Sequence, residues 1–127
     1  MKSVNPTTGG VLAIFELHSA ADVEVRVQRA VEASRAWRGK SFAQRARVVM
    51  RAAELLEGER ESFGRLMTQE MGKPIIAAME ESAKCATACR YYAEHAERHL
   101  ANREIATNDQ KSLVAFQPLG VVLAIMP

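Results

Sequence analysis

Long apolar runs, cysteine, proline and aromatic rings are all scarce in this chain of 127 residues. The longest uninterrupted apolar run, residues 121–126, reads VVLAIM, far short of the roughly 20 residues that a membrane-spanning helix needs. No apolar stretch near the N-terminus suits a signal peptide, so the cytoplasm is the expected compartment. Cysteine is limited to Cys85 and Cys89. They stand four apart, on one face of a helix rather than clasping distant segments, which speaks against a structural disulfide. Charge of one sign is missing as well: a formal net charge of +2 makes no electrostatic case for nucleic acid or membrane. Neither familiar glycine-rich phosphate loop occurs, so nucleotide binding has no local fingerprint.

What is present suffices for a folded domain, with 48% apolar and 25% charged residues. The informative stretch is 117–127, QPLGVVLAIMP. Its apolar run is bounded by Pro118 and Gly120 upstream and Pro127 downstream, and it reads as a strand buried on both faces, since a half-exposed strand would alternate with polar residues. Such strands belong to parallel sheets covered by helices, which points to an α/β fold. The crossover helix that should follow is absent from the sequence, so the expectation is the front part of a longer protein.

Upstream, residues 2–4 and 11–17 flank the turn-forming Asn5-Pro6-Thr7-Thr8-Gly9-Gly10 and predict a hairpin. Ser19 with Asp22 has capping-box spacing, and Val23, Val27, Ala30, Ser34 and Trp37 draw one apolar stripe of a first helix that Gly39 stops. Ser41 with Gln44 repeats the arrangement, and Ala46, Val49, Met50, Ala53 and Leu56 mark the inner face of a second helix. A third carries Phe63, Leu66 and Met67 and ends at Gly72, with Pro74 beyond. The fourth is long: Ile76, Met79, Ala83, Ala86, Cys89, Ala93, Ala96 and Leu100 recur along about 25 residues, a rod of ~38 Å. Residues 105–107 suggest a short strand, Asn108-Asp109 a turn, and 113–117 a second strand with partial alternation.

Several constellations invite a chemical reading. His95 and His99 are four apart, but a metalloprotease helix needs Glu directly after the first His, where Ala96 stands. Cys89 is ten residues from His99, roughly 15 Å along the axis, too far to join them. Solvated histidines near a helix end fit better, and no metal site is predicted. Neither cysteine stands at a helix N-terminus or beside an adjacent base, so buried, inert thiols are the expectation rather than a nucleophile. Arg26, Arg29, Arg35, Arg38, Lys40, Arg45, Arg47 and Arg51, with Glu32 as the one acid among them, offer the alternative of a non-enzymatic helical module binding nucleic acid. The acids Glu54, Glu57, Glu59 and Glu61 follow at once and aromatics are few, so a solvated helix surface accounts for the tract better. Lys73, in Glu70-Met71-Gly72-Lys73-Pro74, reads as a charge at an exposed turn.

Six pieces in order, NPTTG at 5–9, Trp37-Arg38, the 45–56 helix ending AELLE near residue 57, EMGKP at 70–74, Arg90-Tyr91-Tyr92-Ala93 and PLGVVLAIMP at 118–127, resemble the N-terminal part of the aldehyde dehydrogenase superfamily. EMGKP and VLAIMP are similar to bacterial succinate-semialdehyde dehydrogenases. The resemblance implies a hairpin, four helices, an oligomerisation hairpin and the first strand of a doubly wound sheet. Residues 1–127 would be the N-terminal portion of the cofactor-binding domain, with 105–117 in the hairpin through which subunits pair as homodimer or homotetramer. It also implies NAD(P)-dependent oxidation of an aldehyde to an acid through a cysteine thiohemiacetal and thioester, a glutamate activating the water. Partners would be a small aldehyde, such as succinate semialdehyde, and NAD or NADP, with neither nucleic acid nor membrane. That nucleophile and base lie far downstream in the family, so no catalytic residue is assigned here, neither Cys85 nor Cys89 inherits the role, and this piece alone is expected to be inactive. Ile125, Met126 and Pro127 match the segment beside the cofactor, at the carboxyl end of the first strand.

Overall fold

A computed structural model describes residues 1–108 and 111–126. Two short strands, β1 (Lys2–Val4) and β2 (Val11–Ile14), pair antiparallel, with a register shift between Ser3 and Val4. Asn5 builds the turn between them: its side-chain oxygen accepts from the Thr7 and Thr8 amides at 2.9 and 3.2 Å, and its carbonyl accepts from Gly9 at 2.8 Å. Gly9 turns the chain with φ 71°, a conformation that side chains disfavour.

Both predicted capping boxes are present. Ser19 opens α1 (Ala20–Arg38) and Ser41 opens α2 (Phe42–Gly58), each accepting from the backbone amide three residues on while that residue's side chain accepts from the cap's own amide. Helix α3 (Arg60–Met71) follows after Glu59 and closes on Gly72 in the left-handed region, whose amide donates to Thr68 O at 2.9 Å. Pro74 introduces α4 (Ile75–His99), the 25-residue rod expected from the spacing.

The core lies where α4 packs along α2 on one side and α3 on the other. Its buried side chains are small: Ala53, Ala78 and Ala86 are fully enclosed and Ser82 nearly so. Small residues let helix backbones approach closely, and Gly64 of α3 carries this furthest. A Cβ built there would stand 2.7 Å from Met79 Cγ and 3.2 Å from Met79 N. Ser82 Oγ donates to Leu56 O at 2.7 Å, supplying a partner to a carbonyl in the last turn of α2.

Several expectations need correction. The inner face of α4 runs through Ala78, Ser82 and Ala86, whereas Ile76 and Leu100, placed on it by spacing alone, are exposed, as is Leu66 of α3. Spacings of three and four fit more than one helix face, and the facing helices select among them. Helix α1 has no buried residue and no extensive packing against any other element. Its Val23 and Val27 are 49% and 48% exposed. Strand β3 (Arg103–Ile105) begins two residues earlier than the predicted 105–107, and β4 (Ser112–Val114) starts before 113. Pairing sets those limits, with Arg103 opposite Val114, Glu104 opposite Leu113 and Ile105 opposite Ser112. Asp109, half of the predicted turn, lies outside the described residues. Residues 121–126 join neither ladder and stand in the open rather than buried on two faces, because no strand among the described residues lies beside them.

Candidate functional site

The residues singled out for a cofactor lie at the end of the terminal segment. Pro118, Leu119, Gly120 and Val121 run alongside α1, where they border a groove with Val31, Ser34, Arg35 and Arg38. Gly120, at φ 101°, turns the chain there. Beyond this point Ile125 and Met126 are 84% and 81% exposed, and Pro127 lies outside the described residues. Two open apolar side chains offer contact area but no cation, hydroxyl or enclosure, so these residues do not by themselves build a dinucleotide site.

The other candidates separate from one another. Cys85 is exposed and Cys89 half-buried on α4, both free; the exposure of Cys85 corrects the expectation of two buried thiols. The face packed against α2 and α3 is the one through Ala78 and Ala86, which leaves Cys85 outside it. His95 stacks on Tyr91, ring centroids 4.4 Å apart, and its Nδ1 donates to Tyr91 O at 2.8 Å. Tyr91 Oη lies 3.1 Å from His99 Nε2. The two imidazoles are therefore engaged with tyrosine, and no cluster of three or more metal-ligating side chains exists among the described residues.

The basic tract is divided between α1 and α2. Arg45 covers the ring of Phe42, its guanidinium carbon 4.4 Å from the centroid, and Arg51 pairs with Glu54 at 2.7 Å. Lys40, Arg47 and Arg51 share the border of a shallow groove with Val48 and Leu55. Lys73 forms an ion pair with Glu81 across the start of α4.

Two motifs far apart in sequence meet in space. Ser3 Oγ donates to Glu70 Oε1 at 2.6 Å, and a Cβ at Gly72 would come within 3.2 Å of Pro6 Cγ. The Asn-Pro-Thr-Thr-Gly turn is thereby docked on the joint between α3 and α4, so the glycine of Glu70-Met71-Gly72-Lys73-Pro74 serves both a left-handed helix end and a close approach. Spacing gave no sign of this contact; a glycine and a proline in two turns were its only local traces. Asp22, in the first turn of α1, is hydrogen-bonded through its carboxyl to Ser19. The Ser19 hydroxyl and then the Ser19 amide, both donating to it, hold the carboxyl below the usual aspartate value. No helix among the described residues is long and apolar enough to cross a membrane.

Comparison with known proteins supplies what the geometry does not. All residues, 1–127, match the Aldehyde dehydrogenase family. A probable succinate-semialdehyde dehydrogenase [NADP(+)] of Synechocystis is 42% identical over 125 residues, 98% of this chain and 28% of that protein. The succinate-semialdehyde dehydrogenase [NADP(+)] of Mycobacterium leprae is 41% identical over 128 residues. Among solved structures, the succinic semialdehyde dehydrogenase of Streptococcus pyogenes, in complex with NADP+, superposes with a TM-score of 0.82 at 25% identity over 88% of this chain and 25% of its own. The chain thus spans little more than a quarter of the length of these relatives.

Proposed function

The chain belongs to the aldehyde dehydrogenase family, and from that premise we propose that the protein it serves is an NAD(P)-dependent oxidoreductase of small aldehydes, with succinate semialdehyde as substrate. The observation that carries the reading is the identity of 42%, spread over 98% of the chain, with a relative named for that substrate and for NADP. In the proposed reaction an aldehyde and water become a carboxylic acid while hydride passes to the nicotinamide cofactor. A cysteine thiolate and a glutamate outside residues 1–127 form and hydrolyse the covalent intermediate. Cys85 and Cys89 take no part.

This chain's own contribution is scaffold. Residues 1–127 belong to the cofactor-binding domain, with 105–117 in the hairpin that pairs subunits into a homodimer or homotetramer. Residues 121–126 become the first strand of the doubly wound sheet, and Ile125, Met126 and Pro127 border the cofactor at its carboxyl end, setting loop geometry rather than making bonds. The exposed apolar segment 121–126 supports this, since a neighbouring strand would pair its amides and carbonyls while helices cover its side chains. The working compartment is the cytoplasm.

The test is a chimera in which residues 1–127 replace the matching segment of the Synechocystis relative. It is expected to oxidise succinate semialdehyde with NADP+, and the isolated 127-residue chain to produce no NADPH. A folded, NADP-binding chimera that oxidises other aldehydes but not succinate semialdehyde would overturn the substrate assignment. A folded chimera with no aldehyde oxidation at all would overturn the scaffold role.

A further inference from the structure

Cys85 and Cys89 form a pair that the proposed reaction leaves unused. Both thiols are free, Cys85 exposed and Cys89 half-buried. Both stand well inside the 25 residues of α4, where turns on either side hold their backbones. A four-residue separation sets their Cβ atoms about 5–6 Å apart on one face. A disulfide needs Cβ atoms at roughly 3.5–4.5 Å, so an S–S bond here would have to distort the helix. A single atom held by two metal–sulfur bonds of roughly 2.3 Å each bridges sulfurs up to about 4.6 Å apart, which side chains at this spacing reach without moving the backbone.

The neighbourhood narrows the choice of ion. No group of three or more His, Cys, Asp or Glu side chains converges among the described residues, which excludes a four-ligand zinc centre. Glu81, one turn before Cys85, is occupied by Lys73. Lys73, Lys84, Glu80 and Glu81 border the same groove as Cys85, so charges of both signs stand beside it. Two thiolates with no third ligand converging on them among the described residues suit a soft cation that accepts two ligands, and thiolates select Cu(I) on that ground. We propose that Cys85 and Cys89 constitute a two-thiolate site for Cu(I). Two thiols and one Cu+ give a bis-thiolate complex of charge −1 and two protons, with no electron transferred.

The experiment titrates the reduced 127-residue chain, without oxygen, against Cu(I) held by a coloured chelator. One ion per chain is expected to leave the chelator, with two protons released and no change in the chain's size on gel filtration. Cys85→Ala and Cys89→Ala, each checked for retained helicity, are each expected to weaken binding at least tenfold, whereas His95→Ala with His99→Ala leaves it unaltered. Wild-type binding by either single-cysteine variant would overturn the proposal. So would loss of binding in the histidine variant, or one ion bridging two chains.

Discussion

Gly64 shows how much can rest on the lack of a side chain. Met79 Cγ, 2.7 Å from the site of an added Cβ, lies on a flexible side chain that can move, but Met79 N at 3.2 Å belongs to the backbone of α4 and cannot shift alone. Gly64→Ala should therefore destabilise the three-helix unit by about 1–3 kcal/mol, despite alanine's better helix propensity. Urea unfolding followed by helicity measures it, and an unchanged or raised midpoint would show that the helices part at little cost. Ser82→Ala removes a donor from Leu56 O and should cost about 1 kcal/mol in the same assay. At Asp22 the consequence is one of pH. Its carboxyl is held below the ordinary aspartate value by Ser19, so the stabilisation is fully present above that value and disappears as pH falls through the lower, folded one. Fraying at the start of α1 should accordingly grow in acid, and Ser19→Ala should weaken that dependence while leaving the share carried by the Ser19 amide, as amide chemical shifts of residues 20–23 would report.

The two capping boxes are the same device on elements of different standing. Ser41 opens α2, which packs on α4, so Ser41→Ala should lower the stability of the whole unit by about 1 kcal/mol. Ser19 opens α1, which packs extensively on no other element among the described residues, so Ser19→Ala should loosen that helix and leave the urea midpoint in place. Equal midpoint shifts in the two variants would mean that α1 belongs to the cooperative core. What the sequence disclosed follows the same division. Ser19, Ser41 and Gly72 act within a few residues of themselves, and all three helix boundaries were legible from them. The burial of Ser82 and Gly64 depends on Leu56 and Met79, residues on other helices, and nothing in their own surroundings announced it. The stripe of Val23, Val27 and Trp37 was visible but uncovered, because periodicity tells which face is apolar and not whether a partner arrives. At the candidate site the family motif, rather than local chemistry, singled out Ile125 and Met126, whose exposed apolar side chains carry no chemical signature.

For the whole molecule, the open segment 121–126 sets solution behaviour. An unpaired apolar strand with free backbone groups is a template for another copy, so the chain should self-associate in a concentration-dependent way. Leu123→Asp with Ile125→Asp should return it towards monomer in sedimentation runs, while helicity stays unaltered. Association undiminished by those changes would shift attention to the exposed stripe of α1. The docking of the first turn on the α3–α4 joint has a different kind of outcome, one of timing. Ser3 and Glu70 are 67 positions apart, and a ribosome adding roughly 5–20 residues per second delivers Glu70 some 3 to 13 seconds after Ser3. During synthesis the first hairpin therefore waits, a finished latch with no catch, until the close of the third helix emerges to receive it.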